Sequence, residues 1–283
     1  MNHARGRLLV VATPIGNLND LSPRAREALE QASLIAAEDT RHTAGLLQSI
    51  GVSRPMISLH AHNEEARVPE LLTRLESGEV IVLVSDAGTP LLSDPGYRLV
   101  SSAAHAGIDV GVIPGPSAIT AALAVAGLPV SRFCFEGFLP ARSRERRTIL
   151  ARLATEPRTL VFFEAPHRIT ETLADLVAEF GGDRQAVVAR ELTKAHETVY
   201  RGTLAGISAL TQDDPNFQRG ELTLVIHGAP ERTDSVDQQL LRRAVDLLVK
   251  ELPPARAAAI AAQLTGATRN EAYALATRGA DSR

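Results

Sequence analysis

Residues 7–18 read Arg7-Leu8-Leu9-Val10-Val11-Ala12-Thr13-Pro14-Ile15-Gly16-Asn17-Leu18. The run 7–12 is apolar after its first residue and stops where proline and glycine interrupt it, so it reads as a short strand followed by a shaped loop. An amphipathic stretch at 23–32 follows, and the alternation continues. Strands are expected at 34–37, 57–60, 80–85 and 109–113, with helices at 43–51, 64–77, 95–106 and 117–126. The strand runs are nearly all apolar and do not alternate, which suits strands buried on both faces of a mainly parallel sheet. Strands alternating with helices give a layered α/β domain.

The stretch 130–145 breaks this rhythm with a strand-like run at 132–137, then Pro140 and a cluster of arginines. A second α/β pattern follows, with strands at 159–164, 186–190, 197–201 and 221–227 and helices at 168–180 and 204–210. Several of these strands succeed one another without a helix, so the second sheet is expected to be mixed. The last segment reads as three helices, 234–251, 254–264 and 269–277. Pro254 opens the second at a position proline tolerates, and a turn through Gly266 ends at a possible cap, Thr268. Two short helices around such a turn fit either a helix-turn-helix unit or a helical cap. The expected division is 1–130, 131–230 and 231–283: two α/β/α domains with a cleft between them, plus a small helical unit.

Composition narrows the function classes. The 283 residues carry 30 Lys and Arg against 33 Asp and Glu, a net charge of −3, so bulk charge does not attract polyanions. With 3 Tyr, 7 Phe and no Trp, the chain is too poor in aromatics for a broad base-stacking platform. The single cysteine, Cys134, lies between Phe133 and Phe135 and reads as a small buried hydrophobe; it excludes an internal disulfide and a multi-cysteine zinc site. No apolar run approaches the ~18 residues of a membrane span, and the N-terminus lacks a cleavage-like site, so a cytoplasmic protein without membrane association is expected.

Open α/β sheets bind ligands at the carboxyl ends of their strands. The loop after the first strand has one glycine where a dinucleotide fingerprint needs three, and no P-loop occurs anywhere. The loop 85–96 holds two acids, two glycines and two prolines. Asp94-Pro95 reads as a helix cap followed by proline at the first helical position, whereas Asp86 has no such local role and is a candidate to face a ligand. In the loop 113–118, Gly115 between two prolines permits close approach to the backbone, and Ser117 reads as a cap.

Taken together, Ala12–Leu18, Glu38-Asp39-Thr40-Arg41, Ser85-Asp86-Ala87-Gly88-Thr89-Pro90 and Pro114-Gly115-Pro116-Ser117-Ala118 resemble the tetrapyrrole methylase superfamily. Phe163-Glu164-Ala165-Pro166-His167-Arg168, Ala189-Arg190-Glu191-Leu192-Thr193-Lys194 and Gly220-Glu221 extend the resemblance over about 7–228, and the C-terminal helices also resemble an appended helix-turn-helix. The resemblance is strongest to the branch that methylates a cytidine 2′-hydroxyl in 16S ribosomal RNA of the small (30S) subunit. It implies S-adenosylmethionine in a cleft between two domains of a homodimer. It also implies cofactor contacts at Pro14, Ile15, Gly88, Thr89, Ser117, Ala118, Phe163 and Thr223.

For proton removal from the hydroxyl, the candidates are Asp86, Glu164 and His167, with Lys194 joining them if desolvated; His167 could equally cap the helix after it. His42, His60 and His62 do not have metal-site spacing, and the reaction needs no metal. Arg142, Arg144, Arg146 and Arg147 around Glu145 give a local net charge of +3, read either as a solvated helix face or as a phosphate contact. Arg41, Arg168, Arg190 and Lys194 are further candidates to meet RNA. Three rival readings stand beside this one. They are a tetrapyrrole or diphthine-type methyltransferase, a nonenzymatic assembly factor that binds 30S particles, and a nicotinamide oxidoreductase, which the missing glycine fingerprint disfavours.

Overall fold

The apolar runs of the first half pair side by side and all in one direction. In a computed structural model of the chain, which describes residues 6–230 and 235–278, two units form, Met1–Gly228 and Ala229–Arg283. The first unit begins with β1 (Arg7–Val11), α1 (Pro23–Gln31), β2 (Leu34–Ala37), α2 (Thr40–Ser49) and β3 (Met56–Ser58). It continues with α3 (Glu64–Glu76), β4 (Val80–Val84), α4 (Tyr97–His105), β5 (Asp109–Ile113) and α5 (Ala118–Ala126). The five strands make a parallel sheet in the order β3-β2-β4-β1-β5. Its two faces explain the unbroken hydrophobicity of its strands. Leu8, Ile81 and Leu83 pack with Leu71, Leu75 and Leu99 of α3 and α4, while Val11, Val82 and Val84 pack with Leu29 and Leu47 of α1 and α2. Each such side chain contributes roughly 1.5–3 kcal/mol when fully buried.

Some helix starts follow local chemistry and others do not. Ser22 accepts from the Ala25 amide ahead of Pro23, as a capping serine does. By contrast, α4 is not capped by Asp94. Its N-cap position is held by Gly96 at φ +119°, where a Cβ would lie 2.7 Å from Leu83 Cδ2. The capping carboxylate comes from α3: buried Glu64 accepts from the amides of Gly96 (3.2 Å), Arg98 (2.8 Å) and Leu99 (3.3 Å). Asp94 is thereby left free of the role expected from its sequence position.

The second sheet uses β6 (Phe133–Phe138), β7 (Thr159–Glu164), β8 (Gln185–Arg190), β9 (Thr198–Thr203) and β10 (Leu222–Ile226). Its helices are α6 (Ser143–Leu153), α7 (Ile169–Phe180) and α8 (Leu204–Asp213). The order is β6-β7-β10-β8-β9, with β6 and β7 parallel and the other pairs antiparallel, a mixed sheet as its strand succession implied. One face packs on α6, α7 and α8 through Leu150, Leu173, Leu176 and Ile207. The opposite face is covered by α5, whose Ile119, Ala122 and Leu123 meet Val161, Val187 and Val225. The chain therefore crosses to the second sheet before α5, although α5 follows the last strand of the first.

The second unit holds α9 (Ser235–Leu248), α10 (Pro254–Thr265) and α11 (Arg269–Arg278). Its core is Leu241 and Val245 against a set of alanines that includes Ala258, Ala261, Ala272 and Ala276. Gly266, at φ +75°, ends α10. Thr268 then starts α11 in a reciprocal cap, with its Oγ1 accepting from Glu271 N and Glu271 Oε2 accepting from Thr268 N. Among the described residues no helix is long and apolar enough to cross a membrane.

Candidate active site

Three loops at the carboxyl end of the first sheet are fastened to one another. Thr13 after β1 and Gly88 after β4 exchange two backbone hydrogen bonds of 2.9 and 3.0 Å. Thr89 Oγ1 donates to Pro116 O, 3.1 Å away, in the loop after β5. Gly88 sits at φ +78°, and a Cβ there would come within 3.2 Å of Ile15 Cγ2, so both conformation and space call for glycine. Facing these loops are the end of β7 with its following turn and the start of β10. The space between is a cleft of about 460 Å³, within the ~300–1,000 Å³ of small-molecule sites.

Nine of the residues singled out from sequence line this cleft: Ile15, Asp86, Gly88, Thr89, Ser117, Ala118, Phe163, Glu164 and Thr223. Pro14 and His167 are not part of its wall. Ser117 holds the N-cap position of α5 without a capping hydrogen bond from its side chain. His167 does not cap α7 either, because that position is Arg168.

The structure adds Glu38, Leu92, Ser93, Asp94, Phe138 and Glu221, which sequence reasoning did not place at the site. Glu38 and Asp94 join Asp86 on the first-sheet wall. Burial raises the pKa of Glu38, and the charges of Asp94 and Asp86 add to it. Burial likewise raises Asp94, with Asp86 adding and Ser85 opposing. Asp86 Oδ1 accepts from the Asp39 amide (3.0 Å). Non-glycine residues at positive φ flank the site, Leu91 (76°) and Ser93 (73°) on one side, Glu191 (50°) and Thr193 (66°) on the other. Each costs of order 1–3 kcal/mol, strain that surrounding structure must hold in place.

Glu164 is differently placed. It is buried, Oε1 accepts from the Ala165 amide (2.8 Å) and Oε2 from Thr172 Oγ1 (2.5 Å), while Arg168 Nε lies 3.1 Å from Oε1. Both oxygens are committed to holding the start of α7, so Glu164 shapes the wall.

The basic residues separate sharply. Arg146 is fully buried: its Nε lies 2.7 Å from Asp175 Oδ2 and its Nη1 donates to Pro140 O and Ala141 O. Arg190 is also buried, donating to Arg219 O (2.9 Å) and His196 O (3.0 Å). Neither can reach a phosphate, which corrects the expectation drawn for them. Lys194 is held between Glu191 (2.8 Å) and Glu221 (3.1 Å). Burial alone would lower its pKa, but these carboxylates outweigh it and raise it, favouring the ammonium form. Arg147 pairs with Glu179, Arg142 with Glu145 and Arg41 with Asp39, the last holding Asp39 well below the usual carboxylate range. Arg144 is exposed and makes no ion pair among the described residues. Much of the apparent +3 is thus neutralised by α7, whose Glu171, Asp175 and Glu179 recur every four residues along one face. That acidic stripe was readable at helical spacing and was the signal that the arginines were partnered. Among the described residues no cluster of His, Cys, Asp or Glu could hold a metal ion.

A parallel sheet whose loops close a cleft with a second, mixed sheet is an arrangement shared with known methyltransferases. Diphthine synthase superposes with a TM-score of 0.61 at 20% identity, covering 78% of this chain and 89% of that one. Uroporphyrin-III C-methyltransferase from Thermus thermophilus, solved with S-adenosyl homocysteine, gives 0.54 at 18% identity, covering 78% and 97%. Residues 7–208 match the Tetrapyrrole (Corrin/Porphyrin) Methylases, and 234–279 match the RsmI C-terminal HTH domain. The chain belongs to the tetrapyrrole methylase family and, within it, to the group named ribosomal RNA small subunit methyltransferase I. A protein of that name from Xylella fastidiosa is 54% identical over 95% of this chain and 98% of its own length. Those from Pseudomonas aeruginosa and Escherichia coli O157:H7 are 50% and 46% identical, each covering 95% of its own length and 95% and 96% of this chain.

Proposed function

We propose that this chain uses S-adenosylmethionine to methylate the ribose 2′-hydroxyl of a cytidine in 16S rRNA of the small ribosomal subunit. Full-length similarity to proteins named for that substrate class supports the RNA. The observation that carries the cofactor is the chemistry of the cleft wall. S-adenosylmethionine has no phosphate and carries two positive centres, a sulfonium and an ammonium. The cleft has no glycine fingerprint for phosphates and instead presents Glu38, Asp86 and Asp94. Apolar surface from Ile15, Ala118 and Phe163 and the close backbone at Gly88 complete a site that fits such a molecule.

S-adenosylmethionine supplies an electrophilic methyl carbon beside its sulfonium. What the chain must add is alignment of the acceptor oxygen, exclusion of water and a place for the hydroxyl proton. Asp86 is the proton acceptor in this reading: its carboxylate lines the cleft, with Oδ1 on the Asp39 amide and Oδ2 meeting no donor among the described residues. Glu164, tied to Arg168 and Thr172, positions Phe163 and the turn after β7. Arg41, Arg142, Arg144 and Arg147, exposed around the first unit, are residues left to meet phosphates. A cytoplasmic homodimer completes the proposal, and exposed Val112 and Phe133 on the edge strands β5 and β6 suit an interface between copies.

Transfer of tritium from methyl-labelled S-adenosylmethionine to 30S subunits from cells lacking this protein tests the reading. Label in the 16S rRNA fraction is expected. Label confined to ribosomal proteins, or none, contradicts it.

A further inference from the structure

Phe138 is the large apolar side chain most at odds with its surroundings in the first unit's cleft. It lines the cleft and is 56% exposed. Its place there depends on an irregularity of β6. Phe135 is registered with Val161, but Gly137 with Phe162, so Glu136 is an extra residue and the strand is bulged. In a regular strand Phe138 would share a face with Cys134, which packs with α6 and α7. The bulge transfers it to the other face, beside Phe135, opposite Phe163 and in the cleft.

The turn is made by Gly137 at φ +68°, where a Cβ would lie 3.2 Å from Ser93 Oγ, so the strained 91–93 segment abuts the bulge. Three of the 7 Phe gather here. Phe163 stands 4.9 Å from Phe135 and 5.6 Å from Phe138 between ring centroids. Phe163 and Phe135 are backed by protein, whereas Phe138 presents open ring surface at the rim, with exposed Leu92 also in the cleft wall.

We infer that Phe138 is the stacking surface for the base of the nucleotide being methylated, a substrate-positioning residue set in the cleft by the bulge. The inference rests on the RNA-methylating reading above and adds to it how the ribose is presented. Methylating a 2′-hydroxyl inside a cleft requires the nucleotide to leave its neighbours, and an extruded base needs a planar apolar partner to replace the stacking it loses. A rim position more than half exposed suits a ligand that arrives from outside. The adenine of a cofactor enclosed by the wall would meet the inner groups, Phe163 and Ile15. The scarcity of aromatics argued against a broad stacking platform, but a single extruded base needs one ring.

The test compares wild type with Phe138→Ala, Phe138→Leu and Phe138→Trp. It measures S-adenosylmethionine affinity by calorimetry and steady-state methylation of 30S subunits. One stacked base corresponds to a loss of about 5- to 150-fold. That loss is expected in kcat/KM for 30S subunits with Phe138→Ala and Phe138→Leu. Phe138→Trp is expected to restore activity, and cofactor affinity to stay within about twofold throughout. Full restoration by leucine would show that bulk alone matters and overturn the inference. So would a parallel loss of cofactor affinity, which would give the ring to the adenine, or unchanged kcat/KM in all three variants. A wild type that binds cofactor but leaves 30S subunits unlabelled would instead overturn the RNA reading itself, and this inference with it.

Discussion

Arg146→Ala is expected to act on stability and to reach RNA methylation only through it. The Arg146 side chain is 0% exposed and that of Asp175 is 13% exposed, with 2.7 Å between Nε and Oδ2. Removing one partner of such a buried pair costs about 3–5 kcal/mol, because the remaining charge stays desolvated. Here the substitution also strips donors from Pro140 O and Ala141 O, while Ser143 Oγ still donates to Asp175 and limits the loss. For a unit of this size each kcal/mol shifts the midpoint by about 2–4 °C, so a fall of roughly 6–20 °C is predicted by circular dichroism or calorimetry. Arg146→Met with Asp175→Leu should recover most of that loss, since an apolar pair of similar volume no longer leaves a charge behind. Assayed well below its midpoint, Arg146→Ala should keep cofactor affinity near wild type. A midpoint within ~1 °C of wild type, accompanied by weakened binding of 30S subunits, would refute the structural role and return Arg146 to the RNA surface.

Reversing the exposed arginines, Arg142→Glu with Arg144→Glu, should raise the KM for 30S subunits several-fold and make it less dependent on salt, while calorimetry finds cofactor affinity unchanged. Asp86→Asn should lower kcat by about 10²–10⁴-fold, the usual worth of a positioned base, with the 30S KM little altered. A loss confined to cofactor affinity would instead make Asp86 a binding group. Glu38 provides a pH test. Its folded pKa lies above the ordinary 4.5, so the folded state holds the proton more tightly than the unfolded state. Its contribution to stability is therefore full below that ordinary value and is lost as pH rises through the raised one. Glu38→Gln should raise the melting midpoint at neutral pH, the gain vanishing below pH ~4.5, and should weaken binding of the cationic cofactor. A midpoint lowered at neutral pH would show that the charge is not repelled there.

The fold was largely legible because buried parallel strands announce themselves as apolar runs separated by helices. The run Val80–Val84, for example, is apolar throughout because Leu83 and Val84 face different helix layers. The loops at the site were legible from their glycines and prolines, since Gly88 and its neighbours are constrained by space and conformation. What local reading missed were partnerships between distant segments. Asp94-Pro95 carries the signature of a helix cap, yet Glu64, thirty residues earlier, supplies the cap, and Asp94 becomes part of the acidic wall. Arg146 and Arg190 look like surface cations in sequence; the acidic spacing along α7 hints at the partner of Arg146, but the carbonyls around Arg190 emerge only from packing. Phe138 depends on a one-residue bulge, which leaves little trace in sequence beyond Gly137.

The central claim is the transfer of a methyl group to a cytidine ribose of 16S rRNA, and nucleoside-resolved mass spectrometry addresses it most directly. Subunits from cells lacking this protein would be incubated with it and methyl-labelled S-adenosylmethionine, and their 16S rRNA digested to nucleosides. The account predicts labelled 2′-O-methylcytidine, formed by wild type and nearly lost with Asp86→Asn. Label on a base carbon or nitrogen, or on a protein side chain, would contradict it.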